Sequence, residues 1–345
     1  MYAPHLEERT RTEDPSVDVY LLQFQALSRR KMAGYLSDLP VADLVEFERQ
    51  MASQAFTGPV EDIGFIDLTD RLHEEGLYAR INEPSFGPWT SRGRIFGIPH
   101  DVHPVMLAYR ADLVEEAGID MSRIETWEDF ARELRPLIRD LDGDGRPDRY
   151  LLNVWEGSIE QLQALLLQAG GHFFDANETL DMATELNARV AATAVSWMVG
   201  PDRIAADAPE FTASGNKLRI DGYVVASLVP DWLCSAWRKD LPTMEGRFKL
   251  MPLPAWEPGG RRTSVWGGTM LGITKTTPSP EIAWNVAKDL YLSPNIAEKL
   301  YRETYIISPM KSLWDRPFYR EPDPFFSGQP VGELYIQLAP DVPAR

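Results

Sequence analysis

The sequence predicts an α/β protein of two domains that are joined by hinge strands. The chain has 345 residues, which is more than one small hydrophobic core usually organises. Strand-like runs rich in β-branched and aromatic residues alternate with helical patterns, as βαβ units with a mainly parallel sheet require. Two segments, residues 98–104 and 266–269, interrupt this alternation, and we interpret both as crossings between the domains.

The first crossing is recognised by its prolines. Pro99 and Pro104 fix φ twice within a short stretch, and proline is excluded from the interior of helices and of central strands. An apolar run precedes Pro99, and a second one, residues 105–109, follows Pro104. This pattern predicts an extended segment that leaves one domain and enters the other.

The remaining elements are predicted from apolar spacing and from capping residues. Thr126 and Asp129 resemble a capping box, and Trp127, Phe130 and Leu134 follow at helical spacing. Other helices are expected at 3–12, 28–36, 67–76 and 186–199, and after Ser158, Pro280 and Pro294. Strands are expected at 17–24, 42–48, 150–155, 223–229, 247–251 and 270–274.

Composition excludes several classes of partner. The net charge of −17 disfavours nucleic acid and anionic membrane surfaces, because both are bound through clustered lysine and arginine. The single cysteine, Cys234, excludes an internal disulfide. No apolar run approaches the ~20 residues of a membrane span, and the first residues have the pattern of a charged helix rather than of a signal peptide.

Three predicted strands end in carboxylates that stand beside large aromatic residues. In open α/β sheets ligands bind at the carboxyl ends of strands. Carboxylates accept hydrogen bonds from vicinal hydroxyls, and flat aromatic faces cover the apolar side of a sugar ring. Each acid alone is also explained as the N-cap of the next helix. The candidate binding residues are Glu46 and Glu48, Trp155 and Glu156, and Asp231 and Trp232.

The two crossings add further candidates. Trp266 precedes Gly267 and Gly268, two glycines that allow close backbone approach or positive φ, so the tryptophan could form the floor under a ring or belong to a tight turn. Asp101 and His103 lie on the first crossing. A zinc site there is disfavoured, because no cysteine or second ligand stands at metal spacing.

An acidic turn is the sharpest local motif. Asp140, Asp142, Asp144 and Asp148 occupy positions one, three, five and nine of a loop with glycine at position six, as in a calcium-binding EF-hand loop. Position twelve is Leu151, which cannot supply the bidentate carboxylate. Calcium binding and an ordinary turn rich in aspartate and glycine both remain open.

The stretch 94–127 resembles the extracellular solute-binding proteins (family 1, sugar-binding type) of ABC importers, through I-F-G-I-P-x-D-V-x-P-V, A-G-I-D and E-T-W-E-D-F. The resemblance implies the type II periplasmic-binding-protein fold, with 1–103 plus 266–306 as one lobe and 104–265 plus 307–345 as the other. It implies a monomer that binds a carbohydrate or polyol by hinge closure and delivers it to membrane permease subunits. It also places Tyr305 near the ligand.

The family further implies an extracytoplasmic location, periplasmic or as a cell-surface lipoprotein, and no cofactor apart from the calcium option. Against the family pattern we expect the signal sequence, the first strand and the last helices to be absent from this chain. A rival interpretation is a carbohydrate hydrolase that uses paired carboxylates among Glu46, Glu48, Glu156 and Asp231. No nucleophile, Walker or dinucleotide motif supports another enzyme class.

Overall fold

The computed structural model describes residues 44–48, 59–175 and 179–343. The elements expected at 3–12, 17–24 and 28–36 lie outside these residues. In the described part of the chain, no helix combines the length and the apolar character that crossing a membrane demands.

Ten strands are formed within the described residues, and we number them in chain order. They are β1 Leu44–Glu48, β2 Thr90–Ser91, β3 Arg94–Ile95, β4 Ile98–Pro99, β5 Val105–Arg110, β6 Tyr150–Asn153, β7 Ala205–Ala206, β8 Val224–Pro230, β9 Phe248–Pro252 and β10 Thr269–Ile273.

The α-helices are numbered in the same way. They are α1 Thr69–Glu74, α2 Leu77–Arg80, α3 Ala111–Glu116, α4 Trp127–Leu134, α5 Ile159–Gln168, α6 Glu185–Met198, α7 Ala213–Asp221, α8 Asp231–Asp240, α9 Pro280–Leu292, α10 Pro294–Thr304 and α11 Val331–Leu338. Short 3₁₀ helices lie at Val60–Asp62, Glu83–Trp89, Met121–Arg123, Arg135–Leu137, Pro242–Met244, Lys311–Leu313, Pro317–Arg320 and Ala339–Asp341.

The capping box that the sequence predicts opens α4. Thr126 accepts a hydrogen bond from the Asp129 amide, and the Asp129 carboxylate accepts one from the Thr126 amide. Arg132 and these bonds from Thr126 lower the pKa of Asp129 to about 2. Because both partners satisfy otherwise free amides of the first turn, the helix begins at Trp127.

The chain divides into two compact units, and it crosses between them after Val102 and after Trp266. The first unit also contains 267–300 and 307–314, and the second also contains 301–306 and 315–345. We expected residues 301–306 in the first unit and residues 307–314 in the second. The structure assigns these two segments the other way round. Arg238 of the second unit stacks on the Tyr305 ring at 4.5 Å, whereas the Asn82 amide of the first unit bonds the Pro309 carbonyl at 2.8 Å.

The second unit is built on a five-stranded sheet of order β7-β6-β8-β5-β9. β6 is parallel to β7 and β8, whereas β5 is antiparallel to β8 and β9. Every residue of β5, β6 and β8 is buried, so helices and loops cover both faces of the sheet centre. The core that surrounds it includes Trp127, Phe130, Leu152 and Leu228.

The first unit carries a three-stranded sheet of order β1-β10-β4 in its described part. Leu44, Leu271 and Ile273 from this sheet pack with Trp284 and Ala287 of α9. All described strand pairs of this unit are antiparallel.

The expectation of a mainly parallel sheet is therefore wrong for the described first unit and only partly right for the second. Parallel pairing arises where a helix returns the chain to the same end of the sheet, as from β6 to β8. β5 and β10 instead begin just after a crossing between units, so no such helix sets their direction. Both are antiparallel to their neighbours.

Candidate functional site

One edge of the sheet in the second unit collects most of the residues that the sequence singles out. The parallel strands β6, β7 and β8 end at this edge, and antiparallel β5 begins there, because Val105 is paired with Pro230. A further bridge joins Pro104 to Val265. The register thus brings together Trp155, Asp231, Trp232, His103 and Trp266, which lie just beyond these strand ends.

Four aromatic rings follow one another at this edge, and we call them the aromatic series: Trp155, Phe211, Trp232 and Trp266. The Trp155 and Phe211 centroids are 6.5 Å apart with an angle of 67° between the planes. Phe211 is stacked on Trp232 at 6.2 Å and 11°, and Trp232 meets Trp266 edge-on at 6.1 Å and 88°. Trp155 and Trp232 are half-buried and Phe211 is exposed, so the series presents ring surface to solvent.

Backbone contacts position Trp155. Its backbone amide donates to the Gln161 side-chain oxygen Oε1 at 2.6 Å, and Gln161 is itself buried. The indole lies against Gly157, where a Cβ atom would approach the indole nitrogen to 2.8 Å. A Cβ atom at position 157 would force the ring to shift, so glycine permits this close approach of the indole.

Phe211 lies in a strained loop. Its φ is +58°, in the left-handed region that non-glycine residues seldom adopt, and its side chain is 57% exposed. Such strain persists only where the surroundings hold the backbone in place. The adjoining Thr212 caps α7 by accepting the Gly215 amide at 3.0 Å.

A buried ion pair holds this loop. Glu210 and Arg219 are each 2% exposed and are hydrogen-bonded to each other. Glu210 also accepts the Trp237 indole N–H at 3.1 Å and a side-chain N–H of Asn153 at 3.3 Å. Arg219 donates to the Ala208 carbonyl at 2.6 Å. Burial raises the pKa of Glu210 and lowers that of Arg219, and their mutual attraction opposes both shifts.

Gly215→Ala should displace this loop and destabilise the second unit. A Cβ at position 215 would lie 1.8 Å from the Pro209 carbonyl oxygen, which is backbone and cannot swing aside. We expect a loss of about 1–3 kcal/mol in the free energy of unfolding, as for other overpacked sites. Denaturant titration measures it. Gly64→Ala is the matched control, since no atom lies within 4 Å of its Cβ position; equal stability of the two variants would contradict the argument.

Asp207 is a carboxylate of this edge that the sequence analysis missed. It follows β7 directly, and its Oδ1 atom is buried without a hydrogen-bond partner. Burial and the neighbouring charge of Glu156 raise the pKa of Asp207. The signal was present in the sequence, because the apolar run Ile204-Ala205-Ala206 ends in an acid as the other strands do. Phe211 carried no comparable signal.

The structure separates the predicted residues of this edge into accessible and buried groups. Glu156 is exposed, and Trp155 and Trp232 are half-buried. Asp231 and His103 are fully buried, and Trp266 is 5% exposed and belongs to the core. The Trp266 carbonyl accepts the Trp232 indole N–H at 3.2 Å, so Trp266 positions Trp232 as well as contacting it.

The other predicted residues lie elsewhere. Asp101 is a buried residue of the first unit. Gly267 and Gly268 adopt φ of +89° and +114°, which explains glycine at this crossing. Tyr305 is 2% exposed, and its hydroxyl is bonded to Asp323 and Arg238. β1 carries Glu46 and Glu48, whose side chains lie outside the description.

The acidic turn brings three of its four aspartates together. One carboxylate oxygen each from Asp140, Asp142 and Asp148 lies within 4.8 Å of the others. The amides of Gly145 and Gly143 donate to Asp140 at 2.8 and 2.6 Å and lower its pKa. The Asp144 carboxylate accepts the Arg146 amide at 2.8 Å. Leu151 is buried in β6 and offers no ligand.

Comparison with known families decides the classification. The sequence model for the family described as bacterial extracellular solute-binding protein matches residues 41–291, well over half of the chain. The chain belongs to the bacterial extracellular solute-binding proteins. This confirms the family that the stretch 94–127 indicated.

Individual relatives of this solute-binding protein are distant. It is 26% identical over 279 residues to the arabinooligosaccharide-binding protein of Halalkalibacterium halodurans, covering 78% of this chain but only 60% of that protein. It is 23% identical over 350 residues to the lactose-binding protein of Rhizobium radiobacter, covering 98% and 78%.

A solved structure confirms the fold class. The ABC transporter associated binding protein from B. animalis subsp. lactis, in complex with beta-1,6-galactobiose, has a TM-score of 0.67 at 17% identity. The match covers 87% of this chain and 73% of that one. The solute-binding protein therefore has the two-domain α/β fold that the sequence predicts.

Proposed function

We propose that this protein is the extracytoplasmic sugar-binding component of an ABC importer. The observation that carries the proposal is the aromatic series with Glu156 and Asp207 at the strand-end edge of the second unit. Ring faces that reach solvent, with carboxylates at their end, match the apolar faces and the hydroxyls of a sugar. Membership of the solute-binding family supports the same function.

The finer parts of the proposal follow from this function. We infer that the ligand is a neutral oligosaccharide or related polyol, that permease subunits are the partners, and that the protein acts as a monomer in the periplasm or as a surface lipoprotein. Relatives that are named for binding arabinooligosaccharides and lactose support the ligand class. We expect hinge movement of the two units on binding, as is usual for periplasmic binding proteins.

A ligand screen tests the function. A sugar that binds only the native state raises the melting temperature, by an amount that grows with its concentration over Kd. We expect the melting temperature to rise with at least one of arabinobiose, arabinotriose, lactose and galactobiose. Addition of a monovalent salt, as the control, should leave the melting temperature unchanged. The radius of gyration measured by solution scattering should fall when the stabilising sugar is added. A panel without any stabilising sugar would contradict the proposal.

The hydrolase alternative is distinguished by product analysis. A binding protein returns the sugar intact, whereas a glycosidase liberates reducing ends that Glu156→Gln would abolish. We expect the sugar to be recovered unchanged after prolonged incubation. The family consists of binding proteins, and no observation in the second unit favours hydrolysis.

Calcium binding at the acidic turn is a separate proposal. Three converging carboxylates fit a weak site completed by water, although the buried Leu151 cannot supply the usual bidentate ligand. Chelation should then lower the melting temperature of the wild-type protein and leave that of Asp142→Ala unchanged. Identical melting curves with and without chelator in the wild type would show that the turn is held by its own amides alone.

A further inference from the structure

The pair Glu156 and Asp207 has a consequence for specificity that rests on the proposed function. The two carboxylates belong to the loops after β6 and β7, which are adjacent parallel strands. The Val154 amide donates to the Ala206 carbonyl at 3.1 Å, so the two segments remain hydrogen-bonded up to the residue before Asp207. Glu156 lies close enough for its charge to raise the pKa of Asp207. Trp155 precedes Glu156 directly, and the Trp155 ring contacts Phe211. The pair therefore lies at the end of the aromatic series.

The cation that attracts the Asp207 charge is shared with a second carboxylate. Arg219 attracts the Asp207 charge, but its guanidinium is bound to the Glu210 carboxylate and to the carbonyls of Ala208 and Pro209. Neutralisation of Asp207 by Arg219 is therefore shared with Glu210. Burial and the charge of Glu156 outweigh the attraction by Arg219, so the pKa of Asp207 is raised. Two carboxylates, Glu156 and Asp207, thus share this end of the series with a guanidinium that also pairs with Glu210.

We propose that Asp207, together with Glu156, selects neutral sugars and excludes acidic ones from the end of the aromatic series. The buried, unpartnered Oδ1 of Asp207 is an unsatisfied acceptor, and its carboxylate turns easily about a soft terminal torsion. A ligand hydroxyl can donate to such a group. A ligand carboxylate cannot donate when ionised, and it adds a third negative charge.

The expected discrimination is large enough to measure. Like charges a few ångströms apart near a protein surface weaken binding by about tenfold or more. The net charge of −17 adds long-range repulsion of the same sign. At about 0.1 M ionic strength salt screens the long-range repulsion beyond about 10 Å. A difference in affinity between neutral and acidic ligands that remains at this salt concentration is therefore due to the local pair of carboxylates.

The test compares matched ligands on the intact protein. The probes are lactose and galactobiose, each beside the analogue in which one C6 hydroxymethyl group is oxidised to a carboxylate. Calorimetric titration at pH 7 in 0.1 M salt measures affinity. We expect each acidic analogue to bind about tenfold more weakly than its neutral parent, or worse. Asp207→Asn and, independently, Glu156→Gln should each lower the ratio of neutral to acidic affinity several-fold.

Asp202→Asn provides the matched control. Asp202 is exposed and precedes β7, whereas Asp207 follows it, so this variant changes the net charge equally without touching the pair. It should leave the ratio unchanged. The specificity inference would be overturned by equal affinities for neutral and acidic probes. It would also be overturned if Asp202→Asn reduced the ratio of the two affinities as much as Asp207→Asn does. Either result would leave the sugar-binding function standing. Failure of every probe to bind would overturn the specificity inference, and the sugar-binding function would fall with it only if arabinobiose and arabinotriose also fail to raise the melting temperature.

Discussion

Arg219→Ala should lower the free energy of unfolding by about 3–5 kcal/mol, the usual cost of removing one partner of a buried ion pair. Glu210 would remain 2% exposed without its cation, and the carbonyl of Ala208 would lose its donor. Denaturant titration of the purified variant measures the loss. The same variant should weaken sugar binding, because Glu210 and Arg219 hold the loop that carries Phe211 and Asp207.

Lys217→Ala is the control for this prediction on the same helix, α7. Lys217 pairs with Asp221 at 2.6 Å, but the two side chains are 74% and 50% exposed. Exposed pairs contribute about 0–1 kcal/mol, so little change is expected. A penalty for Arg219→Ala as small as that for Lys217→Ala would show that the loop does not depend on the buried pair.

Trp232→Ala should weaken sugar binding by about 1–3 kcal/mol, as truncation of an aromatic contact residue typically does. The variant removes the ring that is stacked on Phe211 at 6.2 Å and leaves a gap in the aromatic series. Trp232 is half-buried, so the protein should still fold. Calorimetric titration with the sugar that stabilises the wild type measures the effect.

Two further variants sharpen this prediction. Trp232→Phe keeps an aromatic face but loses the N–H that donates to the Trp266 carbonyl at 3.2 Å, and it should retain most of the affinity. Trp266→Ala removes a residue that is 5% exposed and part of the core. It should therefore lower the free energy of unfolding more than it lowers the affinity for the sugar. Wild-type affinity in Trp232→Ala would mean that Trp232 is a packing residue.

Local chemistry made several features predictable. The capping box at Thr126 needs only residues three positions apart, and α4 begins where it predicts. The crossings were marked by proline and by paired glycines, and the chain changes units after Val102 and after Trp266. Trp155 and Trp232 were predicted as binding residues because they stand just after strong apolar strands, and both are half-buried beyond the ends of those strands.

Strand direction and burial were not predictable in this way. The pattern of alternating elements favoured parallel sheets, yet β5 and β10 enter from crossings and pair antiparallel. Asp231 and Trp266 have the residue types of a sugar site, but packing of the second unit buries them. Burial depends on neighbours distant in sequence, which a local pattern does not contain.

The sequence by itself determined the family, the two-unit α/β organisation and the strand ends at which large aromatic residues stand. Only the tertiary structure decided that Phe211 completes the aromatic series and that Asp207 lies beside Glu156. The physical reason is long-range: the buried pair of Glu210 and Arg219 and the close approach of Gly215 to Pro209 fix a strained loop against two strand ends. The charge and ring geometry of the site follow from that packing.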